Sequence, residues 1–235
     1  MLGPHDQRVS KVQLIKVTYE LKYAKNMNLL AEHENIHRDL LSEEAPDTSR
    51  WLMPGLRLED KSKKRIMLVD PVRGVIDIDI PPNIGFCKDS VLQFLKSVHN
   101  RFGIPEIARW GLRSIWIQDY RGKFEDLMGI YKQHLLGNST LIRDAYDVGT
   151  VLDYHINGEK VSVTTGPMES DQLKRQFLTF DAESVPAIFA FVSVDIGDTK
   201  TKDYSLKHVT EFFSKAMDEG ERMARDVFHQ LGVGG

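Results

Sequence analysis

VQLIKVTYELKY, residues 12–23, alternates apolar and polar side chains without a break. Ile15, Val17, Tyr19, Leu21 and Tyr23 fall on one face, and Lys16, Thr18, Glu20 and Lys22 on the other. A period of two, with β-branched and aromatic residues on the apolar side, is the pattern of a half-buried strand. Reading outward from that strand orders the rest of the chain. A helix is expected over 27–42, where Leu29, Leu30, Ile36, Leu40 and Leu41 recur at helical spacing and Pro46 follows. Residues 46–64 are charged and read as loop. RIMLV (65–69) and GVIDIDI (74–80) are apolar runs joined by the turn-forming DPVR, and so read as a hairpin. Pro81 and Pro82 end it, because proline cannot donate to a ladder. The next helix is expected to start at Asp89 or Ser90 and to bury Val91, Leu92, Leu95, Val98, His99 and Phe102. Gly103 marks its stop. Strand GLRSIWIQDY (111–120) follows.

The first 120 residues thus read β-α-β-β-α-β. That is the order of a ferredoxin-like unit, with two helices on one face of an antiparallel sheet. The second half, 121–235, opens with a helix near 122–136 that carries Phe124, Leu127, Met128, Tyr131 and Leu135. VLDYHI and KVSVTT flank Asn157-Gly158, a strong hairpin signal. QFLTF (176–180) and AIFAFVSVDI (187–196) read as two further strands, the latter apolar on both faces and therefore central. A long amphipathic helix closes the chain over 205–231. The expected fold is α+β: antiparallel sheet with helices on one face, a ferredoxin-like βαββαβ first half and a related αββββα second half, sharing one core. VIDIDI and FVSVDI each lead into an amphipathic helix, which suggests an internal repeat joined side by side or into one long sheet.

Length and composition allow this. A chain of 235 residues with 41% hydrophobic and 28% charged content can bury a sizeable core. The net charge of −3 argues against general nucleic-acid binding, which needs a basic excess to neutralise phosphates. The run Lys61, Lys63, Lys64 and Arg65 reads as a solvated turn. A single cysteine, Cys87, permits no internal disulfide and fits a reducing compartment. The opening MLGPHDQRVSK lacks a signal-peptide core, and no run approaches the ~18 apolar residues of a membrane span. The expected location is the cytoplasm.

Three constellations could carry chemistry. HENIH (33–37) places His33 and His37 one helical turn apart, able to share zinc, with Glu34 as general base on a bound water. Glu32, Arg38 and Asp39 crowd that motif with charge. A third ligand would have to come from residues such as Glu43, Glu44, Glu59 or Asp60. DIDI (77–80) projects Asp77 and Asp79 from one face of a strand, an arrangement that holds magnesium for phosphoryl transfer in some nucleotide-handling domains. Arg113 shares a face with Ile115 and Ile117, where a guanidinium is costly unless paired. Glu20, Asp77 or Asp79 could pair with it, and a structural ion pair with Glu20 is the expectation.

The opening strand with Tyr19 and Glu20, WGLRSIWI at 110–117 and FVSVDIGDTK at 191–200 together resemble a sporadically distributed family of bacterial proteins of unknown function. The resemblance implies a prokaryotic cytoplasmic protein, and patchy distribution of that kind accompanies accessory or defence loci. The leading reading is non-enzymatic: a component that binds another protein or a second copy of itself, without a cofactor. The alternatives are a zinc-dependent hydrolase built on His33, Glu34 and His37, and a magnesium-dependent nucleotide-binding or nucleotidyl-transfer domain built on Asp77 and Asp79.

Overall fold

A computed structural model describes residues 12–25, 33–44, 46–52, 55–104, 106–136, 142, 144–145, 147–156, 158–200 and 202–233. The alternating opening stretch is β1 (Gln13–Tyr23). It is followed by α1 (His33–Glu44), β2 (Thr48–Leu52), β3 (Gly55–Asp60), β4 (Arg65–Asp70), β5 (Arg73–Asp79), α2 (Ile84–Phe102) and β6 (Glu106–Asp119). Then come α3 (Phe124–Tyr131), which runs on into a π-helical turn (Lys132–Leu136), and β7 (Thr150–Ile156), β8 (Glu159–Glu169), α4 (Ser170–Gln176), β9 (Ile188–Asp198), β10 (Lys202–Asp203) and α5 (Leu206–Gln230). The strands form one ten-stranded sheet in the order β2-β3-β4-β5-β1-β6-β9-β8-β7, with β10 paired to β6. Every pairing is antiparallel. The molecule is α+β, as its patterning implies.

The order has an internal two-fold character. From the central β1–β6 pair it runs β1-β5-β4 in one direction and β6-β9-β8 in the other. Setting aside β2, β3, β7, α4 and β10, both runs are visited in the same chain order: strand, helix, two antiparallel strands, then a long helix, α2 or α5. VIDIDI and FVSVDI occupy equivalent places, on β5 and β9.

Four details depart from the sequence reading. The charged segment 46–64 is not loop but contains β2 and β3. In β3, Leu56, Leu58 and Asp60 are buried while Arg57 and Glu59 are only partly so, and a half-exposed strand with a charged outer face mimics loop composition. Residues 61–64 are the turn, but Arg65 is not part of a solvated run. It is 1% exposed and held by Asp60 at 3.0 Å. Burial alone would raise the Asp60 pKa, yet bonds from Ser62, the Lys63 amide and Arg65 outweigh it and lower the pKa.

QFLTF is not a strand either. Gln176 ends α4, and the next residues lie across the sheet without joining it, so the second half reads αββαβα with the short β10 rather than αββββα. The alternation of Phe177, Leu178, Thr179 and Phe180 looks like a strand, but the Thr179 and Phe180 amides are captured by the Asp79 carboxylate instead of a ladder. Helix α2 starts earlier than expected, at Ile84, because Asn83 caps it by accepting from the Phe86 amide at 2.8 Å. Its end matches: Gly103 adopts φ 58, which a Cβ would oppose.

The fourth departure concerns the faces. Val17, Tyr19, Leu21 and Tyr23 of β1 look into the main core with α2, α3 and α5, and Leu41 of α1 packs against the same cluster. Tyr19 meets Phe212 and Phe213 of α5 at ring-centroid distances of 6.1 and 6.3 Å. However, α4 lies on the second face. Its Leu173 packs there with Met168, Phe189, Phe191, Ile117 and Ile15. A register shift between Leu14 and Lys16 turns Ile15 away from Val17 and onto that second cluster. Helices therefore cover one face broadly and the other at one end only.

Gly220 sets the depth at which α5 seats on β6. A Cβ there would meet the Ser114 Oγ at 2.6 Å, and that hydroxyl accepts from the Trp116 indole. Gly220→Ala should destabilise the protein by about 1–2 kcal/mol in urea unfolding, although alanine favours helix by about 1 kcal/mol. In a Ser114→Ala background the same change should be neutral or stabilising. An equal loss in both backgrounds would show that this contact does not set the packing.

Candidate functional site: a polar cleft on the second sheet face

Outside the patch under α4 and the group Ile66, Leu68 and Val75, the second face of the central strands is polar. Register places Lys16, Thr18, Glu20 and Lys22 of β1 beside Asp77 and Asp79 of β5 on one side. On the other side it places Arg113 of β6 beside Asp195 of β9, with Ser162 of β8 next across. Two charged hubs result. In the first, the Lys16 ammonium lies 2.9 Å from Asp79 and 3.8 Å from Asp77, while Thr18 donates to Asp77. Asp79 also accepts from the amides of Thr179 (2.6 Å) and Phe180 (3.1 Å), and its side chain is 2% exposed. In the second, Arg113 binds Asp195 at 2.9 Å, both partly open to solvent.

Beside the second hub the sheet face hollows into a cleft of about 380 Å³, lined by Arg109, Lys160, Ser162, Asp195, Gly197 and Thr199. The hollow exists because Gly197 lacks a side chain: a Cβ there would sit 3.8 Å from the Arg109 guanidinium. Arg109 is half-buried and Lys160 exposed, and the side chain of neither makes a hydrogen bond or ion pair with another described residue. Since Arg113 neutralises Asp195, two uncompensated cations remain over the cleft. Such a site suits an anionic group that also brings hydrogen-bond donors.

The sequence-derived candidates fall elsewhere or in different pairings. Arg113 and Glu20 are not partners. Arg113 pairs with Asp195, and Glu20 lies near Arg73 (3.6 Å) and Lys22 (3.9 Å). The strand register explains the correction, since it puts Asp195 directly opposite Arg113, whereas Glu20 stands opposite Gly111. Asp77 and Asp79 do share a face, but Lys16 from the neighbouring strand sits between them. One ammonium shared by two carboxylates offsets part of the repulsion between them.

His37 and the Ser49 hydroxyl share a hydrogen bond of 2.7 Å that ties α1 to β2, and Glu34 is exposed. The His33 side chain lies outside the described residues. Of the candidate third ligands, Glu59 is bound to Arg57 at 2.8 Å and Asp60 to Arg65. Among the described residues no group of three His, Cys, Asp or Glu side chains is placed to hold a metal. Cys87 is buried in the main core, and burial pushes its thiol up to about 12, which keeps it protonated and unreactive.

The sequence reading missed Lys16 as the hub of the acidic pair, and it missed Arg109, Lys160 and Gly197. Glycines inside strand patterns, here Gly111 and Gly197, are a recognised sign of a gap or close approach and could have pointed to the cleft. No protein-family model matches the chain, and no curated protein matches its sequence. Among the described residues no helix is long and apolar enough to cross a membrane.

Asp79 fastens the 177–180 segment to the sheet and compensates a buried lysine. Asp79→Ala should cost about 3–5 kcal/mol in urea unfolding, because it strands the Lys16 charge and two amides. Lys16→Met combined with Asp79→Leu should recover most of that loss. A loss below about 1 kcal/mol for the single variant would show that the hub carries no structural role.

Proposed function

We propose that this protein works by binding another protein through the free edge of its sheet at β7, as a component of a prokaryotic accessory or defence system. The observation that carries the reading is the character of that edge. Strand β7 ends the strand order, and Val151, Leu152 and Tyr154 are 64%, 40% and 40% exposed. Among the described residues, no strand pairs with the backbone N–H and C=O groups on its outer side. Natural proteins usually guard such edges with lysine, proline or a bulge. The sequence TVLDYHI carries no lysine or proline, its pairing to β8 runs without a register shift, and Asp153 is its one charged residue.

An edge with three exposed apolar side chains and a single charged one supports strand addition. A partner strand gains main-chain hydrogen bonds, and the alternating side chains select it. Val151, Asp153 and His155 point to one face, and Leu152 and Tyr154 to the other, so a partner strand would be read from both sides. The partner is a different protein or a second copy of this chain. The accessory or defence setting is supported by the family resemblance of Tyr19-Glu20, WGLRSIWI and FVSVDIGDTK.

Val151→Lys with Tyr154→Lys places charge on both sides of the edge. Both positions are exposed, so stability should change by less than about 0.5 kcal/mol per site. The complex isolated from the native host, or the concentration-dependent self-association seen by sedimentation, should be lost in the variant. Retention of the same complex, or a wild-type chain that stays monomeric and partnerless, would contradict the reading.

A further inference from the structure

The two charged hubs occupy equivalent places in the two runs of strands. Lys16 of β1 faces Asp79 of β5, and Arg113 of β6 faces Asp195 of β9, each at 2.9 Å. Their surroundings differ in one respect. Over the first hub the chain lays its own residues 177–181: Thr179 and Phe180 donate to Asp79, and the Lys64 ammonium donates to the Asp181 carbonyl at 3.0 Å. Lys64 stands beside Asp79 at the entry to the neighbouring strand, where its carbonyl accepts from the Asp79 amide.

The segment that covers the first hub belongs to the long connection between β8 and β9. The equivalent connection, between β4 and β5, is a turn of two residues, Pro71 and Val72, which cannot reach the second hub. The second hub therefore keeps its open cleft. Asp195 retains an oxygen without a partner among the described residues; Ser162 stands opposite it in register, and Lys160, two residues along the same strand and opposite Gly197, adds an amine to the cleft.

We infer that this cleft docks an acidic peptide turn of the partner protein, in the way the chain docks its own residues 177–181. The Asp195 carboxylate receives backbone N–H groups, and Arg109 and Lys160 receive acidic side chains. A free phosphate suits the cations but not the open carboxylate oxygen, whereas a peptide brings donors and anions together. The chain's own docking segment, FLTFDAE at 177–183, carries the amides that Asp79 receives and two exposed acidic residues, Asp181 and Glu183, while at the first hub Lys64 takes the Asp181 backbone carbonyl. This inference rests on the protein-binding reading and adds a second contact to it. His155 and Asp153 of β7 share the face with Lys160 and Ser162, so the cleft and the free edge adjoin.

The test is an NMR titration of the full chain with a blocked peptide of sequence FLTFDAE. Amide shifts should concentrate at Ser162, Asp195, Gly197 and Thr199. They should disappear in Arg109→Ala with Lys160→Ala, whose remaining spectrum should stay as in the wild type. A peptide with Asn and Gln in place of its Asp and Glu should bind at least about tenfold more weakly, as expected when charge-assisted bonds are lost. The edge variant Val151→Lys with Tyr154→Lys should leave the titration unchanged, which separates failure of the cleft from failure of the edge. No shifts at millimolar peptide would overturn the inference. So would the same pattern from inorganic phosphate alone with none from the peptide.

Discussion

The antiparallel pairing of β1 with β6 is the constraint on which the rest of the structure depends. Each of these strands is central, with β5 on the far side of β1 and β9 on the far side of β6. Their first-face side chains, Val17, Tyr19 and Leu21 against Ser114, Leu112 and Trp110, form the floor on which α5 lies. Because side-chain direction alternates, fixing one residue pair, such as Thr18 with Arg113, decides which face every neighbour on both strands serves. The two register shifts fall near the ends of this pairing. One of them sends Ile15 through to the second face, where it seeds the smaller cluster under α4.

From that pairing follows the placement of charge. The charged residues Lys16, Glu20 and Lys22 of β1 and Arg113 of β6 fall on the second face, and the strands beside them answer Lys16 and Arg113 with Asp79 and Asp195. The same device serves two ends. At the first hub a lysine and a carboxylate are covered by the chain itself and stabilise the docking of 177–180. At the second, an arginine and a carboxylate stay open beside Arg109 and Lys160. A buried ion pair contributes little by its presence and costs much when half-removed, so the first hub acts as a fastening that holds one arrangement of the segment. The second, being solvated, is free to exchange water for a ligand.

Much of the fold was legible in the sequence because it rests on local periodicity. The alternation of β1, the 157–158 hairpin, the apolar run of β9 and the stripe of α5 each announce their element without reference to a partner. The misses share a physical cause: the deciding contact was long-range. Strand β3 carries Arg57 and Glu59 on its outer side and ends in a buried Asp60, a charge content that composition cannot distinguish from loop. QFLTF has the pattern of a strand, but Asp79, about a hundred residues earlier in the chain, takes its amides. The site was less legible still. Arg113 was expected to need a partner and has one, yet choosing Asp195 over Glu20 required the β6–β9 register, which no single-strand pattern contains. The cleft arises from the absence of a side chain at Gly197 and from a connection too short to cover it, and both become visible only once the strands are ordered.

The most direct measurement is native-state hydrogen exchange across β1 and β6. If their pairing holds the two runs of strands as one body, the inward amides of both should exchange only through global unfolding, with a single free energy equal to that from denaturant. Amides of β5 and β9 should follow the same limit, while α4 and residues 177–180 open at lower energy. Two separate limits, one shared by β1, β5 and β4 and another by β6, β9 and β8, would show that the halves unfold independently. That result would contradict the central role of the β1–β6 pair.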